Sequence, residues 1–177
     1  MGPLGIVAAV QIAPVFGDSM AGASRAGEAI AEVAAAGAWL AAFPESYLPG
    51  PPDYADRFVA GSPAFDAHDT RFLEAAITVP GPETRVIAAA CRDHGVMAAI
   101  GVTERPERSG TLYNTLLWFG PDGKVVGRHR KIMPTDTERM VWAAGDGTTL
   151  RTITTHQGIV GGLICWENYM PLARTAL

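Results

Sequence analysis

Short apolar runs that alternate with helical patterns constrain the fold of this chain most. Residues 4–12, 39–43 and 96–103 are mainly apolar and have Pro or Gly close to their ends, which predicts buried strands. Residues 18–37 and 82–94 lie between these runs, and their apolar side chains recur at helical spacing. Apolar strands that alternate with helices are typical of sheets covered by helices. We therefore predict an α/β fold.

In the second half of the chain, consecutive strands are predicted without helices between them. Residues 112–119 and 124–131 flank Pro121-Asp122-Gly123, which predicts a hairpin. A Pro- and Gly-rich stretch nearer the N-terminus, residues 47–62, predicts a long loop, and we expect it to shape the entrance to a binding site. The other predicted elements are a helix at 63–77, strands at 150–155 and 159–164, and a last helix from about residue 168.

The length and net charge of the chain indicate a single domain and argue against some classes of partner. A chain of 177 residues fits one domain, residues 1–177, and its net charge of −4 gives no reason to expect nucleic acid as a partner. No apolar run reaches the roughly 20 residues of a membrane span, so we expect no membrane partner either. Two cysteines form a poor disulfide framework, so we expect a reduced, cytoplasmic protein.

Cys165 is the candidate nucleophile. It follows an apolar strand pattern and precedes a helical one, and a helix N-terminus there would favour the thiolate and lower the thiol pKa. The alternative is a small buried residue at a strand end, since free cysteines are often buried. Cys91 contrasts with it, because it lies on the apolar face of residues 82–94 and is interpreted as structural.

Charged residues elsewhere could serve such a thiol. Glu45 follows a buried strand, where it could act as a base, although an exposed loop carboxylate is the alternative. Strand alternation places Lys131 on the same face as His129, where its ammonium could stabilise developing negative charge; a basic strand edge is the alternative. Glu138 could orient Lys131 or the substrate, or simply pair with Arg139. The four histidines lack metal-ligand spacing, so no metal site is predicted.

Three motifs in order resemble the nitrilase branch of the carbon–nitrogen hydrolase superfamily. They are Phe43-Pro44-Glu45, the stretch from His129 through Lys131 to Trp142, and Gly161-Gly162-Leu163-Ile164-Cys165-Trp166-Glu167-Asn168. The resemblance covers essentially the whole chain. It implies an α-β-β-α sandwich of the nitrilase type, with two sheets face to face. It also implies Glu45 as general base, Lys131 as electrostatic stabiliser, Cys165 as nucleophile and Glu138 as a second glutamate.

The resemblance also implies a reaction: a nitrile and water give a carboxylic acid and ammonia through a thioimidate and a thioester, without a cofactor. The Trp166 backbone N–H, directly after the nucleophile, is then expected to help bind an oxyanion. An amidase or carbamoyl hydrolase with the same triad, a cyanide-degrading enzyme, and a non-catalytic fragment remain alternatives. Aromatic residues could line the substrate pocket or serve only in packing: Trp39, Tyr47, Tyr54, Trp142 and Trp166.

Members of this family run nearly twice as long. The pattern at residues 170–177 begins a helix without a stop signal, so we expect a chain truncated at its C-terminal side and a sandwich that is incomplete. Incomplete sheets expose edges and apolar faces, so this chain alone is expected to be poorly soluble or inactive. The whole protein is expected to form a homo-oligomer, as dimers or larger spirals.

Overall fold

A five-stranded mixed sheet forms the centre of the molecule. The structure, a computed structural model, describes residues 5–52 and 62–177. The first three strands are parallel and the last three antiparallel, which confirms the predicted α/β class. In spatial order the strands are β1 (Ile6–Ala9), β2 (Ala38–Ala42), β3 (Met97–Glu104), β4 (Tyr113–Phe119) and β5 (Val125–Arg130).

Two helices cover one face of this sheet, α1 (Ser19–Ala35) and α3 (Pro82–His94). The Asp18 side chain caps α1 by accepting the Ala21 N–H at 2.9 Å. Gly95, in the left-handed conformation with φ 65°, ends α3 as the sequence predicts. The helices pack against each other and bury the main apolar core. Two further helices are α2 (Pro63–Ala75) and α4 (Pro171–Ala176).

The opposite face of the sheet carries a second, shorter sheet. Its two strands, β6 (Ile153–Thr155) and β7 (Gly158–Val160), are antiparallel. Ile153 and Val160 pack on Leu40, Met97 and Trp118 of the large sheet. Helices, a mixed sheet and part of a second sheet therefore follow one another in layers, as predicted for an incomplete α-β-β-α sandwich.

Several predictions of local structure need correction or lie outside the described residues. The strand predicted as buried at 4–12 forms over Ile6–Ala9, and Ile6 and Val7 are more than half exposed because β1 is the edge strand of the sheet. The strand predicted at 150–155 begins only at Ile153.

The strand predicted at 159–164 stops at Val160, and residues 161–164 have no regular structure. Gly162 packs there so closely on Trp118 that a β carbon would come within 2.9 Å of the indole ring, so this segment follows the sheet face rather than pairing. The helix predicted from residue 168 begins at Pro171. Residues 53–61 of the predicted entrance loop lie outside the described residues.

Candidate functional site

The segment that carries Glu45 crosses β3 at a glycine. The Gly101 N–H donates to the Pro44 carbonyl at 3.2 Å, and the Gly101 carbonyl accepts the Leu48 N–H at 3.2 Å. A β carbon at Gly101 would lie 2.5 Å from the Pro44 oxygen, so only glycine fits this close approach. The backbone then turns at Ser46, whose φ is 49°. This crossing directs the Glu45 side chain into a small cavity.

Lys131 lies one residue beyond β5 and continues its pairing, because its N–H donates to the Asn114 carbonyl at 2.8 Å. As strand alternation predicts, Lys131 and His129 are buried, whereas Arg128 is exposed. The Lys131 ammonium donates to Glu45 Oε1 and to Glu138 Oε2, each at 2.7 Å. The structure therefore brings three of the predicted site residues into direct contact.

The environment of Lys131 favours its charged form. Burial alone would lower the pKa of the ammonium, but the hydrogen bonds and charges of Glu138 and Glu45 outweigh burial and raise the pKa above its usual value. Two carboxylates surround one ammonium, so these three side chains together carry one net negative charge when all are ionised. Such a cluster holds a fixed cation directly beside two carboxylates.

Glu138 pairs with Lys131 rather than with its neighbour Arg139. It lies in a 3₁₀ turn, Asp136–Met140, where Oε2 also accepts the Thr135 N–H at 2.7 Å. The Arg139 Nε instead donates to the Pro134 carbonyl at 3.0 Å. Contact of Glu138 with Lys131, one of the roles that the sequence left open, is therefore observed, and the alternative pairing with Arg139 is not.

Asn114 is a member of the site that the sequence analysis did not single out. Its Nδ2 donates to Glu45 Oε1 at 2.7 Å, and the side chain is fully buried. Asn114 and Lys131 thus bind the same carboxylate oxygen from two sides. The stretch Thr111-Leu112-Tyr113-Asn114-Thr115 resembles the family's strand before the lysine motif, but no role was assigned to Asn114 from it. We call Glu45, Asn114, Lys131 and Glu138 the lysine cluster.

Cys165 opens a 3₁₀ turn, Cys165–Tyr169, which we call the cysteine turn. The φ of Cys165 is 54°, a strained value for a residue with a β carbon, and its thiol is exposed. Cys165 lines the same cavity of about 140 Å³ as Glu45 and Asn114. Apolar side chains complete the walls: Phe43, Leu116, Leu163 and Ile164. The cavity suits a small, mainly apolar molecule.

The thiol pKa differs from the sequence-based prediction. Partial desolvation beside the cavity and the negative charge of Glu45 raise the pKa of Cys165, and the charge of Lys131 and a hydrogen bond from the Trp166 backbone offset them only in part. The prediction of a lowered pKa was wrong for two reasons. The turn is a single 3₁₀ segment of five residues, and the carboxylates outnumber the ammonium. The resting group is therefore a thiol with a base nearby.

Cys91 behaves as predicted for a structural residue, being fully buried with its pKa raised by burial to about 12. Most of the aromatic candidates also serve in packing. Tyr47 lies in the main core, Trp142 packs on Phe72, and Trp39 packs with Leu40 and Met97 on the face that carries β6 and β7. Tyr54 lies outside the described residues. Trp166 is different, since 61% of its surface is exposed.

Glu167 was quoted in the cysteine motif, but no role was assigned to it. It is 1% exposed, and its carboxylate accepts the N–H groups of Ile132 and Ile164, each at 2.7 Å. His129 Nε2 lies 3.0 Å from Glu167 Oε2. The residue therefore connects the end of the lysine-bearing strand with the cysteine turn.

The described part of the chain shows neither a metal-binding cluster nor a membrane-spanning helix. Within residues 5–52 and 62–177, no three His, Cys, Asp or Glu side chains are arranged so as to hold a metal ion. Within the same residues, no helix is both long and apolar enough to span a bilayer.

Comparison with known sequences places the chain among hydrolases of carbon–nitrogen bonds. Residues 6–177 match the family model described as carbon-nitrogen hydrolase. The chain is 46% identical over 173 residues to an aliphatic nitrilase of Sinorhizobium fredii, covering 96% of this chain and 55% of the relative. It is 40% identical over 175 residues to a bifunctional nitrilase/nitrile hydratase of Lupinus angustifolius, covering 95% of this chain and 48% of that relative. The chain thus spans about half the length of these curated relatives.

Solved structures share the fold at low sequence identity. The Saccharomyces cerevisiae protein Nit3, of the nitrilase superfamily, superposes with a TM-score of 0.72 at 21% identity, covering 96% of this chain and 60% of that one. An amidase variant from Nesterenkonia superposes with a TM-score of 0.73 at 16% identity, covering 99% and 61%. These similarities establish the layered fold and do not distinguish between substrates.

Proposed function

The chain belongs to the carbon–nitrogen hydrolase family, and from that premise we propose that the complete protein hydrolyses a nitrile to a carboxylic acid and ammonia, with Cys165 as nucleophile. The observation that carries this proposal is the shared cavity: Cys165 and Glu45 line it together, and Lys131 donates to Glu45 at 2.7 Å. A thiol, a base and a cation can together supply the nucleophile, the proton transfer and the charge stabilisation for attack on a carbon–nitrogen bond.

In the first half of the proposed reaction, Glu45 accepts the thiol proton as sulfur attacks the nitrile carbon. A base is needed because the raised pKa leaves Cys165 protonated. Negative charge develops on the nitrile nitrogen, where Lys131 and the Trp166 N–H stabilise it. Glu45 returns its proton to that nitrogen, which gives a thioimidate bound through the Cys165 sulfur.

In the second half, two water molecules complete hydrolysis. Glu45 takes a proton from the first water as the oxygen adds to the thioimidate carbon. Return of that proton to nitrogen gives a tetrahedral intermediate with an NH₂ and a hydroxyl group. Glu45 then transfers the hydroxyl proton to the same nitrogen, so the carbon–nitrogen bond breaks, ammonia leaves and a thioester remains. The second water attacks the thioester in the same way, so the acid leaves and Cys165 regains its proton. Glu138 and Asn114 hold Lys131 and Glu45 in place at 2.7 Å throughout these steps.

Nitriles are proposed as substrates, ahead of amides, because of the sequence relatives. The curated proteins at 46% and 44% identity carry the names aliphatic nitrilase and nitrilase. The structural matches that include amidases lie at 16–18% identity, which is too distant to guide the choice of substrate. The apolar walls provided by Phe43, Leu116 and Leu163 are compatible with the carbon end of an organic nitrile.

The proposal extends to the state of the complete protein. We propose a cytoplasmic homo-oligomer, a dimer or a spiral, that uses only the nitrile and water. Large apolar side chains near the cysteine turn support an assembly, because Trp166, Tyr169 and Leu172 are 61%, 77% and 85% exposed. Sedimentation velocity over a tenfold range of concentration tests this part, and a monomer throughout would contradict it.

Ammonia release from phenylacetonitrile and from phenylacetamide, measured side by side, tests the proposed activity. The matched control is Cys165→Ala, which keeps the fold and removes only the sulfur. We expect ammonia from the nitrile and none from the Cys165→Ala variant. Phenylacetic acid, quantified by chromatography, should appear in equal amount because one nitrile yields one acid and one ammonia.

Other outcomes of this assay point elsewhere. Release from the amide alone would move the protein to the amidases. Phenylacetamide as the product from the nitrile would mean that the tetrahedral intermediate breaks its carbon–sulfur bond instead of its carbon–nitrogen bond. Nitrile turnover that survives Cys165→Ala would overturn the assignment of the nucleophile.

A further inference from the structure

Glu167 occupies a buried position between the two segments that carry the proposed chemistry. Oε1 accepts the N–H of Ile132, which directly follows Lys131, at 2.7 Å. Oε2 accepts the N–H of Ile164, which directly precedes Cys165, at 2.7 Å. One carboxylate thus contacts the backbone beside both the cation and the nucleophile.

The carboxylate is ionised and fully engaged. Burial would raise the pKa of Glu167, but hydrogen bonds from His129 and from the N–H groups of Ile132 and Ile164 outweigh it and lower the pKa. His129, also buried, lies 3.0–3.1 Å from both carboxylate oxygens. Charge-assisted bonds to backbone N–H groups are stronger and shorter than neutral ones, so this is a rigid connection.

We propose that Glu167 is a positioning residue that sets the separation between the Lys131 ammonium and the Cys165 sulfur. Where activity is the readout, the inference rests on the function proposed above. Glu167 touches neither the cavity nor the reacting atoms among the contacts described, so it acts through Ile132 and Ile164.

The shape of the cysteine turn explains why such a residue is needed. Cys165 has a positive φ, and a strained residue persists only where its surroundings hold it. Asn168 supports the turn from within, donating to the Cys165 carbonyl at 2.8 Å. Glu167 is the member of the turn whose contacts reach the lysine-bearing strand, through His129 and Ile132. Displacements near 1 Å at a reacting group can lower turnover on the order of 100-fold.

The test compares Glu167→Gln with Glu104→Gln. A glutamine keeps the size of the side chain but has one acceptor oxygen, so in either orientation its NH₂ group faces one of the two backbone N–H groups. Glu104 is a matched control because it is also buried, at 2% exposure, and accepts hydrogen bonds from Thr115, Arg128 and Arg130 without reaching the cysteine turn.

Three quantities are measured for each variant: the melting temperature, the rate of Cys165 alkylation by iodoacetamide, and kcat and KM on phenylacetonitrile. Both variants are expected to lower the melting temperature. Glu167→Gln alone should slow Cys165 alkylation at pH 7.5 about tenfold, because a displaced Lys131 ammonium no longer favours the thiolate. It should lower kcat on the order of 100-fold with little change in KM.

Equal alkylation rates in Glu167→Gln and the wild type would overturn the inference. An equal fall in the alkylation rate and in kcat for Glu104→Gln would also overturn the inference, since a general loosening of the fold would then explain both effects. If Glu167→Gln does not fold, Glu167→Asp serves, because the shorter carboxylate can reach only one backbone segment and should give the same pattern more weakly. A wild type that turns over no nitrile, yet shows the alkylation difference, would contradict the proposed function and leave the positioning role intact.

Discussion

The lysine cluster and the cysteine turn contribute to one cavity but are built in opposite ways. Lys131 and Asn114 are buried in the sheet, and four hydrogen bonds of 2.7 Å hold the cluster: Asn114 to Glu45, Lys131 to Glu45, Lys131 to Glu138, and Thr135 to Glu138. Cys165 is exposed on a strained turn. The cluster is thus part of the fold, whereas the Cys165 side chain is presented to the cavity and can be altered without disturbing the core.

Removing the nucleophile should give the largest effect on activity and the smallest on stability. Cys165→Ala is expected to lower nitrile turnover at least about 10³-fold, because no covalent intermediate can form. The free energy of unfolding should change by no more than about 0.5 kcal/mol, since the thiol is exposed. Steady-state assays and urea unfolding measure the two quantities. A large loss of stability would mean that the turn is part of the core.

Removing the cation should affect both quantities. Lys131→Met leaves Glu45 and Glu138 beside each other without a counter-charge, which should cost about 3–5 kcal/mol of unfolding free energy together with activity. Lys124→Met is the control, because Lys124 pairs with Asp122 on the surface and its loss should leave stability unchanged. If Lys131→Met matched this control in urea unfolding, the two halves of the site would not differ as described.

Thiol reactivity separates the exposed turn from the core directly. Cys165 should be alkylated on the order of 100-fold faster than Cys91 at pH 8, because Cys91 is fully buried and has a pKa of about 12. The Cys165 rate should keep rising through pH 9, since its pKa is raised above the ordinary value of 9.0. Peptide mass spectrometry after timed quenching distinguishes the two sites. A plateau below pH 8 would show a stabilised thiolate instead.

Acid sensitivity should report on the connection between the two halves. The pKa of Glu167 is lowered below 4.5, so its stabilising effect is present above that pH and is lost as pH falls through the folded-state pKa. Near neutral pH, the free energy of unfolding of the wild type should exceed that of Glu167→Gln by about 1–2 kcal/mol. This difference should shrink in acid. Urea unfolding as a function of pH tests this, with Cys165→Ala as a control whose difference stays constant.

The fold was largely predictable because its signals are local. The helix at 82–94 has Pro82 at its start and Gly95 after its end, and the structure places its bounds there. The hairpin around Pro121-Asp122-Gly123 forms for the same reason, since turn residues determine it. The predictions of strand bounds failed where the length of a strand depends on the neighbouring strand with which it pairs. The strand predicted at 159–164 finds a neighbour in β6 only as far as Val160.

The site was predicted as a set of residues but not as a set of contacts. Glu45, Lys131, Glu138 and Cys165 stand out because of motif order, and their chemical roles remain proposals. Asn114 and Glu167 were missed as participants, because hydrogen bonds that span 69 and 35 residues of sequence determine their roles. The prediction of a lowered pKa for Cys165 was wrong for the same reason, since Glu45 is distant in sequence and close in space.

Direct capture of the covalent intermediate tests the central claim, that the lysine cluster activates Cys165 for attack on a nitrile. The protein is mixed with phenylacetonitrile, quenched in acid at successive times and digested for peptide mass spectrometry. We predict an adduct on the Cys165 peptide that forms and decays with turnover and is absent from the Cys91 peptide. The adduct should not form in Lys131→Met when the variant and the wild type are compared at equal concentrations of folded protein. Ammonia release with an unmodified Cys165 peptide at every time point would contradict this account.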